Sequence, residues 1–416
     1  MNWPPLERPP KKDPAKRTRI PLSPPAARSR AALGLVSAAA QGLVRLQVCT
    51  TCETVCYPPR DACPRCFGID LRWRDMTAEG EVIAQTTIRV ATDPYFRERL
   101  PWRIGTIAFH GTSLVASLHR DVMVPGPVRL SLKLDRAGNP VFFAFPSKDT
   151  PLMDEDPVLR ELTADPRFRR ILISDGRHPV GQALIPTFQK AGAAKIFVGV
   201  AEDWRPFEGQ GQLHKLAAEG AIELVALDVT DTRSLTDVAG AIGGKVDILI
   251  NTAERLRAGG ILTVQGLNEQ REAFDVNVHG LARLAQAFGH GMRARGADGQ
   301  NSAAAIVDIL PIHALVNVAA YGAFCASAAA RHSLLQCLRA EMQSGGVRVI
   351  GIYTGPLEET WRQELPPPKV TSKQIADAIV GALKNGMEEL AVGDVAKDIL
   401  ARYLADPKAL EREMSQ

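Results

Sequence analysis

Aromatic residues are scarce, at 6% of the 416 residues. So small a stock argues against a broad stacking surface and for closely packed helices on a sheet. An excess of one charge is missing too. Fifty Lys and Arg stand against 46 Asp and Glu, a formal balance of +4, whereas a dedicated nucleic-acid binder carries a marked basic surplus. No apolar run approaches the roughly 18–20 uninterrupted residues of a membrane span. The basic, Pro-rich N-terminus has no apolar stretch behind it and does not read as a secretory signal. A soluble, cytoplasmic protein is expected. Seven cysteines, an odd number without an export signal, do not read as a disulfide framework. What is present is ordinary globular material, 45% hydrophobic and 23% charged. The length predicts two or three domains.

The pattern changes along the chain. Residues 1–31 hold eight prolines and eight Lys or Arg against two acids, too little apolar surface to offset ordering entropy, so a disordered basic arm is expected. Residues 32–47 suit a short helix running into a strand. From Gly80 to Pro146 five β-rich segments (EVIAQTTIRV, IGTIAFHG, SLVASLHR, VRLSLKLD, PVFFAFP) are separated by Gly/Pro/Asn turns. Five short strands with no helix long enough to cover a sheet predict a small closed barrel over 80–148. An acidic, Pro-punctuated stretch, 149–167, reads as a linker. From 168 to 404 apolar strands alternate with amphipathic helices, which predicts an α/β doubly wound parallel sheet. A tail is expected over 405–416.

Chemistry first shows in the cysteines. Cys49-x2-Cys52 and Cys63-x2-Cys66 are ten residues apart. Each turn aims two thiolates at one point, and together they close a tetrahedral site for structural zinc, or for iron acquired during expression. With no free coordination position, the metal stands in for a core that this short segment lacks. Glu53 replaces the usual glycine of a knuckle, and Cys56 is a spare thiol.

The run YPPRDACPRC, with Pro58, Pro59 and Arg60 between the knuckles and a G-x-V strand from Gly80 behind them, resembles the zinc-ribbon/OB-fold proteins associated with acyl-CoA enzymes. The resemblance spans about residues 32–148. It implies a rubredoxin-like ribbon (32–79), an OB-fold barrel (80–148), acyl-CoA contact through the barrel and pairing with a thiolase. Tyr95, Phe96, Trp102 and Phe109 lie in the barrel. The set Phe142, Phe143 and Phe145 alternates poorly and reads as core. Nucleic-acid binding on the barrel is the weaker alternative.

The second half resembles the short-chain dehydrogenase/reductase family over about residues 168–365. Leu227-Asp228-Val229-Thr230-Asp231, Asn251-Thr252-Ala253, Asp275-Val276-Asn277-Val278 and Gly355-Pro356 recur in the family's order. The resemblance implies a Rossmann-type sheet and a cofactor pocket at Gly181, Asp228, Asn251 and Ala253. It also implies a Ser/Tyr/Lys/Asn catalytic set. Asn277 is retained, but Pro311, Phe324 and Ala328 fall at the Ser, Tyr and Lys positions. Phe has no acid proton, and Ala has no charge to lower a phenol's pKa. A rival register uses Tyr321, which leaves Cys325 at the Lys position and Asp308 at the Ser position. The phosphate turn Ser174–Gly181 keeps only its last glycine. Pro179 lacks a donor and Asp175 and Glu254 add negative charge, so NAD(P) is not expected as a cofactor. Gly176 by a shifted turn, or Glu202 toward a ribose, would leave residual nucleotide affinity.

The eight histidines show no metal spacing, and Cys325 and Cys337 read as core thiols. The expected protein is thus a ribbon and barrel fused to a dehydrogenase-like domain without its chemistry. It would be a non-catalytic subunit in a hetero-oligomer with a thiolase, an active short-chain 3-hydroxyacyl-CoA dehydrogenase, or both, in a β-oxidation-like pathway. An active oxidoreductase working through Tyr321 is the alternative.

Overall fold

The computed structural model describes residues 30–264, 266–296, 303–358 and 368–414. The arm expected over 1–31 therefore lies almost wholly outside the described residues. Two compact units divide the chain, the first running through Ala164 and the second starting at Asp165.

The first unit opens with helix α1 (Leu33–Ala40) and three short strands: β1 (Arg45–Cys49), β2 (Val55–Cys56) and β3 (Leu71–Asp75). They form an antiparallel ribbon in the order β2-β1-β3. The Pro-Pro-Arg run is tied to it where Arg60 N donates to Gln47 Oε1 at 2.8 Å. Helix α1 buries Leu35, Ala38 and Ala39 in the barrel core. Gly34 lets it approach the ribbon, because a β-carbon there would overlap the Trp73 indole.

Strands β4 (Glu79–Ile88), β5 (Trp102–Phe109), β6 (Thr112–Leu118), β7 (Gly126–Leu134) and β8 (Pro140–Pro146) close a barrel in the order β4-β5-β6-β8-β7. This is the five-stranded barrel of OB type. Alternation decides what faces in: Ile107, Phe109, Leu114, Ala116, Leu118, Leu130, Leu132 and Phe142 fill the interior. Between β4 and β5 the short helix α2 (Pro94–Arg97) is capped by Asp93, whose carboxylate accepts from Tyr95 N.

The stretch expected as a linker is instead built into this unit through Ala164. Its Pro and Asp residues are capping signals: Asp156 accepts from Val158 N and Leu159 N ahead of Pro157, the first residue of α3 (Pro157–Glu161). Asp156 also accepts from Arg120 N. Buried Glu161 pairs with Arg99 at 3.2 Å and Arg136 at 3.0 Å, and Leu159 and Leu162 pack on Phe143. Acidic composition misleads where carboxylates are consumed by caps and buried pairs.

The second unit holds β9 (Arg170–Ile173), α4 (Pro179–Lys190), β10 (Lys195–Gly199), α5 (Gln210–Ala218), β11 (Glu223–Val225), α6 (Thr232–Ile242), β12 (Ile248–Asn251), α7 (Gly266–Phe274), α8 (Gly280–Gly296), β13 (Ala305–Pro311), α9 (Gly322–Gln343), β14 (Arg348–Thr354), α10 (Ser372–Asn385), β15 (Glu389–Val392), α11 (Asp394–Ala405) and α12 (Pro407–Met414). The sheet is parallel throughout, in the order β11-β10-β9-β12-β13-β14-β15. Its direction of winding reverses between β9 and β12, which opens a crevice at their carboxyl ends. The expected tail is partly helix: α12 puts Leu410 into the main core. No helix among the described residues is long and apolar enough to cross a membrane.

Candidate functional site

The four ribbon cysteines converge. Cys49 Sγ lies 3.5 Å from Cys66 Sγ and Cys52 Sγ lies 3.6 Å from Cys63 Sγ, and all four sulfurs fall within 4.8 Å of one another. A tetrahedron with Zn–S bonds of about 2.3 Å places its sulfurs about 3.8 Å apart, so this donor set fits zinc. Backbone N–H groups of Cys66 and Arg65 aimed at Cys63 bring its thiol down to about 6, while the adjacent Cys52 and Cys49 sulfurs push the Cys66 thiol up. Glu53 and Phe67, each just after a knuckle's second cysteine, adopt left-handed φ of 56° and 59°, the conformation for which glycine is usual there. Cys56 is buried beside the site, its thiol pushed up by burial.

In the second unit the crevice floor is a closed polar network. Ser174 follows β9, Asn251 ends β12, and Asp308 lies opposite Asn251 on β13. Ser174 Oγ donates to Asn251 Oδ1 at 2.9 Å, and Asn251 Nδ2 donates to Asp308 Oδ1 at 2.8 Å. Beneath them Arg331 of α9 is 1% exposed and Asp308 0%. Arg331 holds the carboxylate with Nε at 2.7 Å and Nη2 at 2.5 Å, while Nη1 donates to Ala253 O at 3.1 Å. Three adjacent strands and one helix are thereby joined through one buried ion pair.

Phe324, Ala328 and Pro311 are all buried. Asn277 lies in a π-helical turn, Asp275–His279, a local widening frequent at functional sites. It accepts from Arg255 N and donates to Arg255 O and Ser327 Oγ. Tyr321 is half-buried, its ring 6.2 Å from that of His313, which also stacks near Phe324 at 5.5 Å. Helix α9 contains no lysine. Cys325 is buried, as expected, with its thiol pushed up by burial. Cys337 is not: it is exposed on the outer side of α9.

The phosphate turn is occupied by its own side chains. His178 caps α4, its Nδ1 accepting from Val180 N at 3.2 Å, and Pro179 supplies no N–H. The His178 ring stands 4.0 Å from the Glu254 carboxylate. Asp175 pairs with Arg177 at 3.0 Å. Asp175 foremost, then Asp228 and Glu202, hold that guanidinium firmly charged. Gly181 is required because a β-carbon would strike Asp175 O. Asp228 accepts from Thr230 N and Oγ1. Val180 N and the Arg177 guanidinium, two groups that could meet a pyrophosphate, are thus already engaged by His178 and Asp175.

Residues 36–72 match the family model described as "ChsH2, rubredoxin-like zinc ribbon domain", and residues 169–369 match "short chain dehydrogenase". One chain thus carries a match to a zinc ribbon and a match to a short chain dehydrogenase. The dehydrogenase domain is similar to "1-deoxy-11-beta-hydroxypentalenate dehydrogenase" of Streptomyces exfoliatus, 26% identical over 59% of this chain and 94% of the relative. It is also similar to "Short chain dehydrogenase pigC" of Monascus ruber, 30% identical over 32% of this chain and 46% of that one. The chain spans about a quarter to a half of the length of the first curated relatives it matches. Among solved structures, a short chain dehydrogenase from Burkholderia cenocepacia in complex with NADP superposes with a TM-score of 0.53 at 24% identity, over 60% of this chain and 98% of that one. One from Streptomyces avermitilis superposes at 0.50, with 26% identity over 58% and 94%. These likenesses fix the fold of the dehydrogenase domain.

Sequence reasoning missed Arg331 as a partner for Asp308, and His313 beside Tyr321. Arg331 had a signal. Phe324, Ala328, Leu335, Leu338 and Met342 form a buried stripe at helical spacing, and the one charge inside that stripe requires a buried partner.

Proposed function

We propose that this chain is a non-catalytic subunit that assembles enzymes of acyl-CoA metabolism. In this reading the ribbon and barrel engage a thiolase, and the dehydrogenase domain engages an active short-chain dehydrogenase. Those partners would oxidise a 3-hydroxyacyl-CoA and cleave the resulting 3-oxoacyl-CoA. The observation that carries the reading is the substitution of the whole acid–base set. Phe324, Ala328 and Pro311, which the resemblance puts at the Tyr, Lys and Ser positions, are buried and carry no ionisable group, and Arg331 is committed to Asp308. The phosphate turn fits a dinucleotide poorly: Val180 N is taken by His178, Pro179 supplies no N–H, and Asp175 and Glu254 add negative charge beside it.

Exposed apolar side chains support a partner on each unit. Phe67 and Ile69 project from the second knuckle, and Ile261, Leu262, Val264 and Leu267 are exposed on the approach to α7. A second reading, oxidoreduction through Tyr321, draws on its proximity to His313 and on the retained Asn277.

The scaffold is tested by expressing the native, untagged chain in its own cells and isolating what travels with it. A thiolase or an active short-chain dehydrogenase should co-purify, and deleting residues 168–416 should lose the dehydrogenase or lower its activity. A chain that purifies alone at native abundance would overturn the reading.

A further inference from the structure

An edge strand presents unpaired N–H and C=O groups, and proteins guard such edges by keeping them short or charged. The ribbon follows that rule: β2 has two residues, and β3 carries Arg72, Arg74 and Asp75. So does the parallel sheet, whose outer strands β11 and β15 have three and four residues. Strand β4 departs from it.

β4 is ten residues long, and its two sides are unequally covered. β5 pairs with it from Glu81 to Ile88, whereas β7 pairs with it only from Glu79 to Val82. β7 begins at Gly126, directly after Pro125, and does not continue beside Ala84–Ile88. The register shifts between Val82 and Ala84, a bulge of the kind that bends a strand at a barrel rim. Beyond it Ala84, Gln85, Thr86 and Thr87 are exposed and Ile88 is half-buried. Among the described residues no strand other than β5 pairs with this stretch. In an antiparallel ladder alternate residues turn their N–H and C=O away from the paired neighbour, so this side of β4 meets solvent. The stretch holds no charge and no proline, and its two threonines and isoleucine favour extension.

An open edge takes an extended strand, and this one suits a second copy of itself. In a two-fold antiparallel pair facing residues share a side of the sheet, so the axis passes through a residue. Thr86 is the midpoint of the bare stretch. About it Thr86 meets Thr86 of the partner subunit, and Gln85 meets Thr87 of the partner subunit. Ala84 then meets Ile88 of the partner subunit, and all three are pairings that a ladder tolerates well. The one charge nearby, Arg89, falls opposite Ile83 of the partner subunit, two residues from Glu81 of the partner subunit. Like charges do not meet. We propose that two copies of this chain associate by joining their β4 strands edge to edge, antiparallel about Thr86. This pairing is independent of the scaffold reading and of any partner enzyme.

Sedimentation velocity on the full-length chain reads the mass. The wild type should move toward twice the mass of one chain as its concentration rises. Thr86→Lys sets two ammoniums opposite each other across the axis, and Thr86→Glu sets two carboxylates, which destabilises a ladder. At a concentration where the wild type is associated, each variant should sediment at half its mass. Residue 86 is exposed, so melting temperature and metal content should be unchanged in both. An equal mixture of the two variants should recover the wild-type mass, because Lys then faces Glu. Copies joined through another surface would not respond to that exchange. A wild-type mass that does not rise with concentration, a Thr86→Lys variant that keeps the wild-type mass, or a mixture that stays at half of it would each overturn the proposal.

Discussion

Protein carrying Cys63→Ser should leave purification with no bound zinc or iron, against one metal per chain in the wild type. The four sulfurs already stand at tetrahedral spacing, and the ribbon has little else to hold it. The residues around them form a cluster of only Cys49, Cys56 and Cys63, with Cys52 and Leu71 packed on it. Metal binding in such a segment is coupled to its folding. Loss of one thiolate should therefore expose the loops around residues 50–70 to proteolysis. The barrel, with its own core from Ile107 to Phe142, should stay folded. Elemental analysis of freshly prepared protein together with limited proteolysis reads both effects. Wild-type protein free of zinc and iron would remove the claim.

Arg331→Leu should be the most destabilising single change in the dehydrogenase domain. It leaves the Asp308 carboxylate at 0% exposure with Asn251 Nδ2 as its remaining donor, and Ala253 O loses one as well. Removing one partner of a buried pair costs about 3–5 kcal/mol, or roughly 6–20 °C in melting temperature for a domain of this size. The double variant Asp308→Asn/Arg331→Leu should recover much of that loss, because buried ion pairs exchanged for neutral groups are often tolerated. A calorimetric double-mutant cycle separates the pair from its surroundings. A single variant that loses less than about 1 kcal/mol would show that the network does not brace the crevice floor.

Short-range features were legible in the sequence, and long-range pairings were not. The knuckle spacing places four thiols by local geometry alone. The change from period two to alternating strands and helices marks both the barrel and the parallel sheet. The stretch after Pro146 was misread because its prolines and acids are the start signal of α3, and the arginines that pair with Glu161 lie 25 and 62 residues upstream. Asp308 and Arg331 are likewise a strand residue and a helix residue, and sequence distance hides their contact. The exposed Cys337 beside buried Leu338 shows that a largely buried helix still has an outer side.

We propose that the dehydrogenase-like domain does no chemistry of its own. A general acid–base residue contributes about 10²–10⁴-fold in rate, and the positions that the resemblance assigns to residues 311, 324 and 328 act in that family as one unit rather than as three independent ones. The direct measurement is nicotinamide-dependent turnover of 3-hydroxyacyl-CoA and 3-oxoacyl-CoA by the purified chain, followed at 340 nm and compared with Tyr321→Phe. The account predicts no turnover above the protein-free rate in either protein. Turnover by the wild type that is abolished in Tyr321→Phe would contradict it and assign the acid to Tyr321.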